Sequence, residues 1–177
     1  MNISIVIPTL NEEGNVKKLF LENKKVLDPI TKDYEIIFVD DGSWDKTFER
    51  LKEINDKHLV IVKLRDNFGQ SAAMDAGFKT AKGDIIITMD GDLQNDPADI
   101  PKLLKKIADG YDVVSGWRQK RKDPFGKKIA SRIAYNVRKR VAKLSIHDSG
   151  CSLKAYKREA LRGIDLAGEM QIGRAHV

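Results

Sequence analysis

The chain has 177 residues, 41% hydrophobic and 33% charged, which is enough apolar material for one packed domain. Its apolar runs fall far short of the roughly 18 residues that a membrane-spanning helix needs, and its single cysteine, Cys151, excludes an intramolecular disulfide and a cysteine-based zinc site. The net charge of +6 is unevenly spread, because residues 1–116 carry 16 Lys/Arg against 21 Asp/Glu, whereas residues 117–143 carry 11 against 1. The basic block indicates a surface that meets an anionic partner, or else a solvated helix face.

Short β-branched runs alternate with segments of helical spacing over the first 115 residues. Strands are predicted at residues 3–7, 34–39, 59–64, 84–89 and 111–115. Helices are predicted around residues 16–26, 48–54, 72–81 and 100–107. Because strands and helices alternate, we predict an α/β fold with a mainly parallel sheet covered by helices on both sides.

The pattern changes after Ser115. Residues 116–126 are polar and basic, and residues 127–144 carry apolar side chains at helical spacing among many lysines and arginines. This spacing predicts a basic amphipathic helix. Such a helix either lies on an anionic membrane surface or packs its apolar stripe on the sheet, and the two interpretations are compatible.

Polar residues follow four of the predicted strands, at the edge where a parallel sheet forms its ligand crevice. They are PTLNEE after the first strand, DDGS after the second, RDNFGQ after the third and DGDLQ after the fourth. The glycine patterns of a dinucleotide site and of a P-loop are absent from the sequence. The missing patterns therefore argue against a dinucleotide site and against a P-loop in this crevice.

Asp90 and Asp92 form the most informative pair. They follow an apolar strand at a spacing that puts both carboxylates on one side, and Gly91 lets the backbone turn so that both approach one ion. Oxygen ligands of this kind suit Mg²⁺ or Mn²⁺ shared with a diphosphate. Gln94 continues the series and adds a third oxygen. The alternative is that the aspartates only form a turn or cap a helix.

The acidic turn at residues 40–43 is weaker on its own. A carboxylate there can accept hydrogen bonds from a nucleobase N–H or from ribose hydroxyls, although Asp and Ser also form ordinary turns. Asn11 and Glu12 can simply cap the first helix, and Asn67 and Gln70 the third. Their joint occurrence at neighbouring strand ends favours a shared ligand site.

Four ordered blocks of the sequence closely resemble glycosyltransferase family 2. They are SIVIPTLNEE from Ser4, FVDDGS from Phe38, NFGQSAA from Asn67 and MDGDLQ from Met89. Two later blocks, DSGCSLKAY and GEM, make the chain most similar to the dolichyl- and polyprenyl-phosphate sugar transferases, the dolichol-phosphate mannosyltransferase-like members. The resemblance reaches Met170 and implies a GT-A-like fold.

The resemblance also implies an inverting transferase with a nucleotide-diphosphate sugar donor and a polyprenyl-phosphate acceptor. The implied donor-binding residues are Pro8, Thr9, Asn11, Glu12, Asp40, Asp41, Asn67, Gln70 and Asp90. The implied Mg²⁺ or Mn²⁺ ligands are Asp90, Asp92 and Gln94. Arg118, Lys127 and Ser131 match acceptor-phosphate positions, where Lys127 replaces an expected Arg and so loses bidentate geometry. The catalytic residues would be Asp92 and Arg118.

A polyprenyl-phosphate oxygen is already anionic, so it can attack without a side-chain base. Asp123 is the only acidic residue between positions 117 and 147, which agrees with such an acceptor. Two alternatives stay open: a family 2 enzyme that extends a saccharide with Asp148 as base, and a noncatalytic module for an anionic polymer or membrane.

We accordingly divide the domain into a nucleotide-sugar-binding core, residues 1–116, and an acceptor- and membrane-facing segment, residues 117–171. The N-terminus lacks the features of a secretory signal. We therefore expect a cytoplasmic protein peripheral to the inner face of a membrane, with no nucleic-acid partner. Residues 172–177 match a translated sequencing-library adapter, and we interpret them as a non-native tail.

Overall fold

The computed structural model describes residues 1–116 and 151–163. The predicted basic helix, the three acceptor-phosphate residues Arg118, Lys127 and Ser131, Asp148 and the tail at 172–177 all lie outside the described residues.

The described residues form six strands and four α-helices. The strands are β1 (Ile3–Thr9), β2 (Tyr34–Asp40), β3 (Leu59–Lys63), β4 (Ile85–Thr88), β5 (Val113–Ser115) and β6 (Lys154–Lys157). The helices are α1 (Val16–Leu27), α2 (Thr47–Lys52), α3 (Gln70–Thr80) and α4 (Ile100–Ala108), with short 3₁₀ turns at Pro97–Asp99 and Arg158–Leu161. All five predicted strands and the four helices predicted in the core are present.

The strands form one mixed sheet in the order β3-β2-β1-β4-β6-β5. β1 pairs in parallel with β2 and β4, and β2 pairs in parallel with β3. β6 runs antiparallel to both of its neighbours. The prediction of a mainly parallel α/β sheet with flanking helices is therefore confirmed.

Strand β6 is the element that the sequence pattern did not reveal. Its four residues, KAYK, begin and end with lysine and contain no apolar run. The strand forms because it is paired on both sides, with Lys154 opposite Thr88 of β4 and opposite Ser115 of β5. The core sheet thus takes one strand from beyond residue 150.

The core occupies both faces of the sheet, because successive side chains of a strand point to opposite faces. On one face Ile5, Ile7 and Phe38 pack with residues of α1 and α4. On the other face Val6 and Ile37 pack against α3. All seven residues of β1 are buried, as expected for a central strand covered on both sides. Among the described residues, no helix combines the length and apolar character needed to cross a bilayer.

Candidate functional site

Four polar loops meet where β1, β2, β3 and β4 end, and we call this border of the sheet the carboxyl edge. The register aligns Thr9 with Asp40, and Val6 with Thr88, so the ends of β1, β2 and β4 are neighbours. Every predicted site residue in the described part of the chain lies at the end of β1 or β2, in one of the loops after β1 to β4, or at the first position of α3. The sheet therefore brings these sequence blocks together.

Several hydrogen bonds tie the loop after β1 to the loop after β2 and to the first residue of α2. The backbone N–H of Asn11 donates to Ser43 Oγ at 2.9 Å, and Asn11 Oδ1 accepts from the Trp44 N–H at 3.1 Å. The Glu12 N–H donates to Thr47 Oγ1 at 2.7 Å. Asn11 has a left-handed backbone with φ 58°, a conformation that asparagine tolerates better than most residues. These contacts fix the loop at the mouth of the crevice. Asn11 does not cap α1, because that helix begins later, at Val16.

Asp45 strengthens the same junction, and the sequence reasoning missed it. Its carboxylate accepts from the Thr47 N–H at 2.9 Å and from the Glu13 N–H at 3.2 Å. Burial alone would raise the pKa of Asp45, but hydrogen bonds from the Thr47 hydroxyl and these backbone N–H groups lower it below its usual value. In the sequence, the Ser-x-Asp spacing from Ser43 to Asp45, directly before α2, was the signal that could have indicated this role.

Asp40 lies fully buried at the end of β2. Its Oδ1 accepts from the Ser43 N–H at 3.1 Å, whereas its Oδ2 is buried and has no hydrogen-bond partner among the described residues. A buried carboxylate oxygen without a donor is unfavourable, and native structures usually satisfy such atoms with protein, water or ligand groups. The orphaned oxygen fits a ligand N–H or O–H group.

Asp41 is also buried, but both of its carboxylate oxygens have partners. Oδ1 accepts from the Phe68 N–H at 2.8 Å, and Oδ2 accepts from the Gly69 N–H at 2.9 Å. Gly42 beside it has φ +72°, and a β-carbon there would lie 2.6 Å from the Asp66 carbonyl carbon. The loop after β3 therefore packs directly on the β2 turn. Adjacent in sequence, Asp40 and Asp41 have different contacts.

The aspartate turn, residues 90–94, lies against the end of β1. A β-carbon on Gly91 would be 3.0 Å from Thr9 Cγ2, 3.3 Å from the Pro8 carbonyl oxygen and 3.4 Å from Glu12 Cγ. A β-carbon would crowd these three atoms, so glycine favours this close approach. Pro8, Thr9 and Glu12 are thereby brought beside the aspartates.

Asp90 is half-buried and its Oδ1 accepts a hydrogen bond of 2.9 Å from Gln70 Nε2. Asp92 and Gln94 are exposed, and the Gln94 N–H donates to Asp92 Oδ1 at 3.0 Å. Because β4 ends at Thr88 and Leu93 is left-handed with φ 62°, strand alternation does not relate these side chains. Their direction follows instead from the turn.

The donor set of this turn suits a hard divalent cation. Within residues 1–116 and 151–163, no group of three or more His, Cys, Asp and Glu side chains is arranged to hold a metal. Mg²⁺ commonly uses one or two carboxylates together with substrate phosphates and water. Two aspartates in a glycine-dependent turn beside β1 fit that mode of binding. The assignment of Asp90, Asp92 and Gln94 as ligands remains a prediction.

The start of β6 also reaches this turn. The Thr88 hydroxyl donates to the Ser152 carbonyl oxygen at 2.7 Å, and Asn95 Nδ2 donates to Ser152 Oγ at 2.8 Å. The Gly116 N–H donates to the Leu153 carbonyl oxygen at 2.8 Å. Gly116 after β5 and the residues before β6 therefore both lie at the carboxyl edge, and Ser152 contacts residues on either side of the aspartate turn.

A second charged cluster lies at the opposite edge of the sheet. His58 stacks on Tyr34 with ring centroids 4.0 Å apart, and its Nδ1 lies 2.8 Å from Asp56 Oδ1. Lys24 forms ion pairs with Asp56 at 3.2 Å and with Asp28 at 3.4 Å. Burial, together with the hydrogen bond to Asp28, raises the pKa of Tyr34 to about 12. This cluster joins α1 to the starts of β2 and β3.

Comparison with known proteins gives a consistent result. A family model described as Glycosyl transferase family 2 matches residues 4–165. The undecaprenyl-phosphate 4-deoxy-4-formamido-L-arabinose transferase of Aeromonas hydrophila is 40% identical over 162 residues, which is 90% of this chain and 50% of that protein. The enzyme of the same name from Pectobacterium carotovorum is 43% identical over 160 residues, 89% of this chain and 49% of that protein. The chain thus spans about half the length of these curated relatives.

Solved structures show the same fold. Glucosyl-3-phosphoglycerate synthase from Mycobacterium tuberculosis, in complex with Mn²⁺, UDP-glucose and phosphoglyceric acid, superposes with a TM-score of 0.68 at 20% identity, over 90% of this chain and 57% of that one. A complex of that synthase with Mg²⁺ and UDP gives the same TM-score of 0.68.

Proposed function

The chain belongs to glycosyltransferase family 2, and on that premise we propose that it serves an inverting, metal-dependent transfer of a sugar from a nucleotide-diphosphate sugar to a polyprenyl phosphate. The observation that carries the proposal is the position of Asp40 and the Asp90–Asp92 turn on either side of β1 at one edge of the sheet. Asp40 offers a hydrogen-bond acceptor for the nucleoside, and the aspartate turn offers ligands for a cation bound to the diphosphate. A nucleotide diphosphate requires both.

The donor nucleoside binds at the β1–β2 side of the carboxyl edge. The unpartnered Oδ2 of Asp40 accepts from a nucleobase N–H or a ribose hydroxyl. Pro8, Thr9, Asn11 and Glu12 form the neighbouring wall, and Asn67 and Gln70 border the crevice from the loop after β3. A GDP- or UDP-sugar fits this chemistry, and the likeness to a synthase solved with UDP-glucose supports it.

The diphosphate lies at the aspartate turn, where Asp90, Asp92 and Gln94 hold Mg²⁺ or Mn²⁺. When bound, the cation supplies Lewis-acid neutralisation of the departing nucleotide diphosphate. The structural neighbour solved with Mn²⁺ or Mg²⁺ supports a divalent cation here. Asp92 is the catalytic ligand of this set.

The acceptor side consists of residues 117–171. Arg118, Lys127 and Ser131 bind the acceptor phosphate, and Arg118 offsets the repulsion between the two phosphate groups. Two observations support this assignment: the chain leaves the sheet after β5 and rejoins it before β6 at the carboxyl edge, and residues 117–143 carry 11 basic residues against 1 acidic. The names of the relatives, undecaprenyl-phosphate transferases, support a polyprenyl phosphate.

The reaction needs positioning rather than a protein base. An anionic phosphate oxygen of the acceptor attacks the anomeric carbon, a new C–O bond forms on one face, and the bond to the nucleotide diphosphate breaks on the other. The configuration inverts, and no proton has to be removed. Because the acceptor is a lipid, we further propose that the basic segment faces an anionic membrane surface at the cytoplasmic side.

The test is transfer of radiolabelled sugar from a panel of UDP- and GDP-sugars to polyprenyl phosphate with Mn²⁺ or Mg²⁺. The panel compares the chain, a version extended to the length of its relatives, and Asp92→Asn in both. Asp109→Asn makes the same chemical change at the far end of α4 and serves as the control. We expect lipid-phase label that depends on metal and is lost only with Asp92→Asn.

A folded, extended protein that gives no lipid product contradicts the proposal. Label in a saccharide instead of the lipid would favour the saccharide-extending alternative with Asp148 as base. Absence of any nucleotide-sugar turnover would favour the noncatalytic module.

A further inference from the structure

The start of α3 is fastened to β2 by the Asp41 carboxylate. The Phe68 and Gly69 N–H groups, at 2.8 and 2.9 Å from its two oxygens, are the donors. Gly69, with φ +90°, directly precedes α3, an eleven-residue helix. Backbone N–H groups at a helix start lack intrahelical partners, and a carboxylate there is favourable to the helix dipole. Asp41 therefore holds the backbone directly before α3, where the Gly69 N–H also donates to Asn67 Oδ1 at 3.0 Å.

The first residue of that helix reaches the aspartate turn. Gln70 Nε2 donates to Asp90 Oδ1 at 2.9 Å. Asp41 ends up on one side of β1 and Asp90 on the other, because β2 and β4 are the two neighbours of β1. A continuous series of contacts, Asp41 to the Gly69 backbone to Gln70 to Asp90, thus crosses the end of β1.

We propose that Asp41 and Gln70 are positioning residues that orient the Asp90 carboxylate for a cation and a nucleotide diphosphate. The proposal rests on the proposed function for the identity of that ligand. Asp41 acts on the backbone of the loop after β3, and Gln70 acts on Asp90, so neither needs to touch the donor. This differs from the nucleoside-binding role expected for Asp41 from the resemblance.

A positioning series has a property that independent ligand contacts lack. If Asp41 works through Gln70, removing either one removes the same contribution, so their effects do not add. If each contacts the donor separately, the effects multiply. Gln70 has an exposed side chain, so its replacement by Ala tests the series without endangering the fold.

The first measurement uses the ¹⁵N-labelled 177-residue chain without ligand. We expect both Asp41→Asn and Asp90→Asn to shift the side-chain amide signals of Gln70, and Asp41→Asn to speed hydrogen exchange at the Phe68 amide, which donates to Asp41 Oδ1. Asp66→Asn is the matched control, because it makes the same change in the same loop, at a carboxylate that pairs only locally with Arg65 at 3.0 Å. Unchanged Gln70 signals in a folded Asp41→Asn chain would overturn the series.

The second measurement is Mn²⁺ binding followed by electron paramagnetic resonance, with UDP present. We expect Gln70→Ala to weaken Mn²⁺ binding about five- to tenfold, as loss of one hydrogen bond of ordinary net strength does. The double variant Asp41→Asn/Gln70→Ala should bind Mn²⁺ no more than about twofold weaker than the weaker single variant.

Different results would contradict the proposed function and the positioning role. A chain that binds no Mn²⁺ with UDP contradicts the proposed function. A chain that does bind it, but with equal affinity after Gln70→Ala or with multiplying effects in the double variant, contradicts the positioning role alone. If Asp41→Asn fails to fold, Mn²⁺ binding by Gln70→Ala and by the unchanged chain still tests whether Gln70 positions Asp90.

Discussion

Gly42 offers the sharpest test of how the acidic turn is built. It has φ +72°, and a β-carbon would lie 2.6 Å from the Asp66 carbonyl carbon and 2.7 Å from the Asn67 nitrogen, both backbone atoms that cannot rotate away. Left-handed strain for alanine costs about 1–2 kcal/mol, and overpacking adds roughly 1–3 kcal/mol. We therefore expect Gly42→Ala to reduce the free energy of unfolding by about 2–5 kcal/mol.

Gly69 and Gly14 separate the two causes of destabilisation, which are backbone strain and steric overlap. Gly69, with φ +90° and ψ 159°, lies in a backbone region that is essentially restricted to glycine, but no atom lies within 4 Å of a β-carbon, so Gly69→Ala should show the strain alone, about 1–3 kcal/mol. Gly14 has neither a positive φ nor a neighbour within 4 Å. Gly14→Ala should therefore be neutral or stabilise the chain by up to about 1 kcal/mol, because alanine restricts the unfolded state.

Urea unfolding followed by circular dichroism gives the free energy of unfolding and its dependence on denaturant. The expected order of stability is Gly14→Ala, then Gly69→Ala, then Gly42→Ala. A loss below about 2 kcal/mol for Gly42→Ala, the lower limit expected when strain and overpacking add, would refute the close approach of the loop after β3 to the β2 turn. An equally large loss for Gly14→Ala would refute the backbone argument altogether.

Three further predictions concern the carboxyl edge. Asp40→Asn should keep the Ser43 hydrogen bond and the stability of the chain within about 1 kcal/mol, since it replaces only the buried oxygen that has no partner. It should weaken UDP binding at least tenfold by calorimetry, which corresponds to about 1.4 kcal/mol or more. The pKa of Asp45 is lowered in the folded state. Its contribution to the free energy of unfolding is therefore present above the unfolded pKa of about 3.9 and is lost as pH falls through the folded pKa. In urea titrations, Asp45→Asn should lose less stability than the unchanged chain between pH 6 and pH 3. Chelation by EDTA should weaken UDP binding of the unchanged chain but not of Asp92→Asn, and an equal response of both would contradict the metal assignment.

Strand and helix positions were accessible from the sequence because apolar periodicity is a local property. β1, β2 and β4 stand out as β-branched runs, and each is buried in the sheet. β6 did not stand out, because a short strand flanked by lysines is formed by pairing with two neighbours rather than by its own pattern. The family resemblance rested on the blocks at the strand ends, and the matching family model bears it out.

The sequence by itself determined the α/β class, the family and the set of polar residues at the carboxyl edge, since these depend on composition, periodicity and motif order. Only the tertiary structure decided what each carboxylate contacts. Asp40 and Asp41 are neighbours in the chain, but one has an unpartnered buried oxygen and the other binds the backbone before α3. The Gln70–Asp90 hydrogen bond likewise joins residues from different loops. Such contacts depend on strand order and on close backbone approach at glycine, and no local pattern encodes them.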